Sequence, residues 1–199
     1  MILDEFLSKL RLKFFYYKRN CQIFYGKVNL IRAYYWGIKI GKNANFRGRC
    51  FFKKAVSSKI IIGSNFHAVS IVKESNLVKR PCTIQTNLKG AYLKIGDNVG
   101  VSGCIIACFK RILIGNNVRI GGNCTIFDGD FHLDDPRVGD PKEIVIEDNV
   151  WLGYDVIVLK GVHIGANTVI GAGSVVTKDI PSNCVAAGNP CKIIKELNK

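Results

Sequence analysis

The sequence lacks the patterns that identify several common classes of protein. No apolar run approaches the roughly 18 residues that a transmembrane helix needs. Acidic Asp4 and Glu5 stand where a secretory signal peptide would carry basic residues. None of the eight cysteines belongs to a CxxC pair, which argues against a zinc site of the usual spacing. A membrane-spanning protein, a secreted protein and a zinc-finger protein are therefore not expected.

Acidic residues are scarce at the N-terminal end. Residues 1–60 contain 14 Lys/Arg and 2 Asp/Glu, whereas residues 61–199 contain 15 and 13. Basic side chains alternate with Phe, Tyr and Leu over residues 1–35, and helical spacing places Phe6, Leu10, Phe14 and Tyr17 near one face. Two compatible interpretations stay open: the segment lies on an anionic inner-membrane surface, or it caps the fold and buries its aromatic residues there. No nucleic-acid motif accompanies the charge, so no nucleic-acid partner is expected.

A strict six-residue period occupies residues 146–181. Helices repeat near 3.6 residues and strands near 2, so this period predicts short strands joined by tight corners, three to each turn of a coil. An aliphatic residue opens each unit and should fill the coil, and the second position is often glycine, where a side chain would collide or φ must be positive. The openers are Ile146, Leu152, Val158, Ile164, Ile170 and Val176.

The same period recurs upstream with two interruptions. Ile114, Ile120 and Ile126 open further units, and weaker traces reach back to Ile40. One residue is extra between Val101 and Ile114, and a polar, acidic stretch follows Ile126 that cannot line a core. We therefore predict a basic amphipathic segment at 1–37, a coil of roughly eight turns at 38–186 with a protruding loop at 127–143, and a C-terminal tail at 187–199. Cys124 falls on a core position, and free thiols used as core filler suit a reducing cytoplasm.

The C-terminal half resembles a known family. The segments VWLGYDVIVLKGVHIGANTVIGAGSVVTKDIP and VAAGNPCKII are similar to the hexapeptide-repeat acetyltransferases, in the branch of the maltose and galactoside O-acetyltransferases and their capsule-polysaccharide relatives. The resemblance covers about residues 90–197. It implies an all-β fold, the left-handed parallel β-helix, assembled as a homotrimer with active sites between neighbouring coils. It also implies acetyl-CoA as the donor, a sugar hydroxyl as the acceptor and no metal.

Four residues are candidates for catalysis through this resemblance. His132 matches the family's catalytic histidine, and imidazole is the side chain suited to take a hydroxyl proton near neutral pH. Asp128 and Asp130 flank it in FDGDFH, and either could orient the ring. Ser102 stands where galactoside-type enzymes carry asparagine, and its hydroxyl can still donate a hydrogen bond to a developing oxyanion.

Further residues match positions that contact coenzyme A in the family. Lysine keeps the charge of the family's phosphate-binding arginines but loses their bidentate geometry. These residues are Trp151 at the cleft wall, Gly153 and Ala172 along the pantetheine, Thr177 and Lys178 near the nucleotide, and Lys192 and Lys195 at the phosphates.

The predicted function is acetyl-CoA-dependent O-acetylation of a sugar in capsule, exopolysaccharide or lipopolysaccharide biosynthesis, in the cytoplasm or at the inner membrane face. N-acetylation of a nucleotide-linked amino sugar is an alternative, although the chain has no GxGxxG motif in its N-terminal part. A non-catalytic β-helix scaffold is a second alternative, but the intact FDGDFH and TKDIP segments argue against it. A γ-type carbonic anhydrase needs three histidines around zinc, and His132 alone stands in a suitable segment.

Overall fold

The computed structural model describes residues 9–10, 12–13, 24–72, 77–132 and 134–197. One helix, α1, spans residues 24–35, and residues 9–10 and 12–13 are also helical. Among the described residues, no helix has the length and apolar character needed to cross a bilayer. The Phe6, Phe14 and Tyr17 positions of the predicted aromatic face lie outside the described residues, and Leu10 is exposed.

The strands after α1 form three sheets that the chain visits in turn. Sheet A comprises β1 (Lys39–Ile40), β4 (Lys59–Ile62), β7 (Tyr92–Ile95), β10 (Arg111–Ile114), β13 (Ile144–Ile146) and β16 (His163–Ile164). Sheet B comprises β2 (Asn45–Arg47), β5 (His67–Val69), β8 (Gly100–Ser102), β11 (Arg119–Gly122), β14 (Trp151–Leu152), β17 (Val169–Ile170), β19 (Cys184–Ala187) and β20 (Lys192–Glu196). Sheet C comprises β3 (Phe51–Lys53), β6 (Thr83–Thr86), β9 (Ile105–Cys108), β12 (Thr125–Phe127), β15 (Ile157–Val158) and β18 (Val175–Val176).

Each strand pairs in parallel with the strand one turn away, so the three sheets are the sides of a prism. Among the strands of the described residues, β20 alone is antiparallel, and it folds back on β19. Sheets A and C hold six strands each in the described chain, fewer turns than the roughly eight predicted. The described residues between β5 and β6, and between β12 and β13, add no strand to the coil.

The core confirms the six-residue period. All six predicted openers between Ile146 and Val176 are buried, as are Val150, Val156 and Val162 at the fifth positions. Seven cysteines are buried and free, which confirms their use as core filler; Cys21 lies outside the described residues.

Glycine and asparagine meet different structural requirements at the corners of the coil. The second-position glycine lies against the next turn: a Cβ on Gly153 would come 2.6 Å from the Ala172 backbone nitrogen. Positive φ belongs to asparagine at the corner between sheets A and B, and the side-chain amides there bond from turn to turn, as Asn65 does to Asn98 at 2.8 Å. Asparagine tolerates this conformation better than most residues because its short polar side chain bonds locally.

Helix α1 packs on the first turn of the coil. The Asn29 side chain is fully buried and donates to the Gly48 carbonyl at 2.7 Å, while its oxygen accepts from the Cys50 amide at 3.1 Å. The helix therefore caps the coil, but through Asn29 and small Ala33. The aromatic residues Phe24, Tyr34 and Tyr35 of the helix are exposed, whereas Trp36, just after it, packs partly buried against the core.

Candidate active site at a corner of the coil

The loop that carries His132 leaves the coil between β12 and β13. Its two ends are joined by the Lys142 amide, which donates to the Asp128 carbonyl at 2.8 Å. We call the edge where the chain passes from sheet C to sheet A the C–A corner; the loop lies there, one turn after Phe109 and one turn before Lys160. A closed base on a regular scaffold holds the residues of a functional loop in place.

Asp128 anchors this base. Its carboxylate is fully buried and accepts hydrogen bonds from three consecutive backbone amides, those of Phe109, Lys110 (2.8 Å) and Arg111 (2.6 Å). Burial, and then the Asp128 charge, raise the pKa of the neighbouring Cys108 thiol, so that thiol stays protonated. Asp128 therefore fixes the loop to the preceding turn.

His132 lies beside an aromatic pair on the outer part of the loop. The Phe131 ring meets the Phe109 ring edge to face at 5.1 Å between centroids, and Gly129 leaves room for this because a Cβ there would come 2.7 Å from the Phe109 ring. The His132 side chain is exposed, and its carbonyl accepts from the Asp135 amide at 3.1 Å. The imidazole is thus accessible from solvent.

Asp130 makes an ion pair at the base of the same loop. Lys160 Nζ lies 2.6 Å from Asp130 Oδ2 and 2.8 Å from the Gly139 carbonyl oxygen, so it ties both arms of the loop to the next turn. Both carboxylates that flank His132 in sequence therefore have other partners. Lys160 was missed by sequence reasoning, because it occupies an ordinary position in a regular hexad.

Two of the predicted coenzyme A residues share this corner. Thr177 and Lys178 are exposed and follow β18, one turn beyond Lys160. With His132 and Asp130 they form the corner group of predicted site residues.

The other predicted residues lie on sheet B and its edges. Ser102 ends β8, Trp151 begins β14 with about half of its surface exposed, and Gly153 contacts Ala172 in the corner that follows. The two lysines are exposed on β20 at the end of the same sheet. This second set, the sheet-B group, comprises Ser102, Trp151, Gly153, Ala172, Lys192 and Lys195. One chain thus carries the predicted site in two parts, on different sides of the prism.

Within the described residues, no group of three or more His, Cys, Asp or Glu side chains could hold a metal ion. His163, a second exposed histidine, bonds instead to Glu147, with 2.8 Å between Nε2 and Oε1.

Comparison with known proteins agrees with the repeat and the fold. The family model described as bacterial transferase hexapeptide (six repeats) matches residues 143–178. A galactoside O-acetyltransferase of Lactococcus lactis is 51% identical over 92 residues, covering 44% of each chain. The galactoside O-acetyltransferase of Escherichia coli is 37% identical over 147 residues, covering 66% of this chain and 72% of that protein. The match thus spans less than half of the Lactococcus relative and about three quarters of the E. coli one.

The crystal structure of a hexapeptide-repeat acetyltransferase from Vibrio cholerae superimposes with a TM-score of 0.53 at 23% identity, covering 88% of this chain and 82% of that one. At this identity the likeness establishes the fold, a left-handed parallel β-helix with an N-terminal helix. Left-handed coils run against the usual right-handed crossover of parallel strands, so the hand is itself distinctive. With the family repeat, the extent of the E. coli match and this fold agreeing, the chain belongs to the hexapeptide-repeat acetyltransferase family.

Proposed function

We propose that this protein is an acetyl-CoA-dependent O-acetyltransferase that acetylates a hydroxyl of a sugar in cell-envelope polysaccharide biosynthesis. The observation that carries the proposal is the likeness to the galactoside O-acetyltransferase of Escherichia coli, which is 37% identical over 72% of that enzyme. An exposed imidazole on a loop with a closed base suits the chemistry, because acetyl transfer to a hydroxyl needs a base near neutral pH.

His132 is the general base in this mechanism. Its ring takes the proton of the acceptor hydroxyl while that oxygen attacks the thioester carbonyl, and it returns the proton to the departing thiolate of coenzyme A. Holding both substrates in one cleft supplies much of the rate enhancement, since the reaction becomes effectively intramolecular. Ser102 donates a hydrogen bond to the carbonyl oxygen as negative charge develops there.

The division of the site into two groups supports a homotrimer as the active form. In a threefold assembly, the corner group of one subunit can face the sheet-B group of the next. Acetyl-CoA then lies between subunits, with Thr177 and Lys178 on one side and Gly153 and Ala172 on the other. Exposed Lys192 and Lys195 supply positive charge for its phosphates.

The direct test measures acetyl transfer by mass spectrometry of a panel of sugars incubated with acetyl-CoA and the enzyme. His132→Ala should lower kcat by about 10²–10⁴-fold, the usual contribution of a general base, with acetyl-CoA affinity unchanged. His163→Ala is the matched control, because it removes another exposed imidazole and should leave kcat unchanged. Full activity in His132→Ala would exclude the assigned base.

Donor binding is tested separately by calorimetric titration with acetyl-CoA. Saturable binding that weakens in Lys192→Ala/Lys195→Ala is expected. The absence of binding to the wild-type protein would contradict the acetyl-CoA assignment. Acetylated amino sugars in place of acetylated hydroxyls would move the assignment to an N-acetyltransferase.

A further inference from the structure

A basic cavity lies on the outer side of sheet A, near its N-terminal end. It has a volume of about 430 Å³, and its lining includes Lys39, Lys54, Lys59 and Tyr92. Lys39 belongs to β1 and Lys59 to β4, while Lys54 lies at the C–A corner between β3 and β4. Three lysines from two adjacent turns of the coil thus line one cavity.

No acidic side chain offsets this charge among the residues that line the cavity. The whole described stretch 24–72 contains nine Lys/Arg and no Asp/Glu. Lys54 Nζ donates to the Ser58 carbonyl at 3.3 Å, which is a neutral partner and keeps the positive charge at the cavity wall. A concave site lined by charge of one sign concentrates ligands of the opposite sign. The chemistry of the cavity therefore selects an anion.

Sheet A continues from the cavity toward the His132 loop, through strands β7, β10 and β13. Lys59, Tyr92 and Arg111 occupy one register on three successive strands. The Arg111 guanidinium lies 5.7 Å from the Tyr92 ring centre, and its Nε lies 3.3 Å from Glu143 Oε1, at the end of the loop. Two strand spacings separate Lys59 from Arg111, or roughly 10 Å, a distance that a short oligosaccharide spans.

We propose that the cavity between Lys39, Lys54 and Lys59 binds a carboxylate or phosphate group of the acceptor, which is therefore an anionic saccharide. The identification of the bound anion as the acceptor rests on the proposed function. Anion binding by the cavity can be tested without any turnover. The sugar lies along sheet A with its anionic group in the cavity and the hydroxyl to be acetylated near His132.

The binding experiment uses calorimetric titration of the full-length protein with inorganic pyrophosphate and with a galacturonate oligosaccharide, alongside a neutral galactose oligosaccharide. Lys39→Gln/Lys59→Gln removes two charges from the cavity. Lys42→Gln/Lys53→Gln is the matched control, since it removes two exposed lysines of the same basic segment that do not line the cavity. Thermal unfolding confirms that both variants are folded.

The expected result is saturable binding of both anions that weakens about tenfold in Lys39→Gln/Lys59→Gln and less than about twofold in the control, because only the cavity lysines contact the ligand. With the anionic acceptor, KM should rise by the same factor while kcat holds. No binding of either anion, or equal weakening in both variants, would overturn the proposal.

Two further measurements distinguish acceptor binding from lipid binding and from a failure of the proposed function. Vesicles containing phosphatidylglycerol test a lipid phosphate: vesicle binding that depends on Lys39 and Lys59, without oligosaccharide binding, would overturn the acceptor assignment. Acetyl-CoA titration of Lys39→Gln/Lys59→Gln should match the wild type. Acetyl-CoA binding with transfer to a neutral sugar, but no anion binding, would preserve the proposed function and refute this inference alone.

Discussion

Replacing Asp128 tests whether this carboxylate holds the loop or serves the chemistry. Its two oxygens accept from the amides of Phe109, Lys110 and Arg111, and the side chain is fully buried. If Asp128 instead acted by orienting His132, its loss would reduce turnover and leave stability intact. The structure predicts a large loss of stability.

The magnitude follows from the three amides. Hydrogen bonds to a charged group contribute about 1.5–3 kcal/mol each, and a buried donor left unpaired costs about 1–3 kcal/mol. The Phe109 amide is in a buried bond, whereas those of Lys110 and Arg111 are partly accessible and can regain water. Removing the carboxylate also removes the cost of burying its charge. We expect Asp128→Ala to lower the free energy of unfolding by about 3 kcal/mol, a drop of about 6–12 °C in melting temperature for a chain of this size.

Asp128→Asn should be nearly as harmful, although it preserves shape. A carboxylate is an acceptor at both oxygens, whereas an amide presents two donors on its nitrogen. The nitrogen would face backbone N–H groups that are themselves donors, so at least one bond is lost and a repulsive contact takes its place.

The assay is thermal unfolding followed by circular dichroism at one fixed protein concentration. Asp130→Ala is the control, because its ion pair with Lys160 is partly exposed and such pairs contribute about 0–1 kcal/mol. An Asp128→Ala protein that melts with the wild type, or no lower than Asp130→Ala, would refute the reasoning.

Two other predictions concern the packing of the coil. Gly153→Ala should lower the free energy of unfolding by about 1–3 kcal/mol, because the new Cβ would come 2.6 Å from the Ala172 backbone. Gly100→Ala is the control: its Cβ would meet nothing within 4 Å, so this variant should melt close to the wild type. Equal melting temperatures for the two variants would contradict this. Asn29→Ala should lower the free energy of unfolding by about 2–3 kcal/mol, because it leaves the Gly48 carbonyl and the Cys50 amide without their hydrogen-bond partner. Hydrogen exchange of residues 24–35 should rise with it, and unchanged protection would show that α1 is held by other contacts.

Sequence reasoning located the coil because its physical cause is local. A residue at the first position of each hexad must fill a narrow interior. The six openers from Ile146 to Val176 therefore had to be apolar, and all six are buried. The polar run after Ile126 could not fill that interior, and the described residues between β12 and β13 belong to no strand. The role of glycine was only half resolved, since the sequence allowed either a collision or a positive φ, and at Gly153 collision is the reason.

Tertiary structure alone decided which side chains meet. Asp128 and Asp130 both lie shortly before His132 in sequence, yet Asp128 accepts from backbone amides of the previous turn and Asp130 pairs with Lys160 of the next. These partners come from neighbouring turns. Their distance along the sequence depends on the lengths of the insertions between the turns, so sequence spacing alone does not identify them. The sequence also did not show that Lys39 and Lys59 line one cavity, because counting charge along the chain does not say which face carries it. Periodicity determined the scaffold, and packing between turns determined the chemistry at its surface.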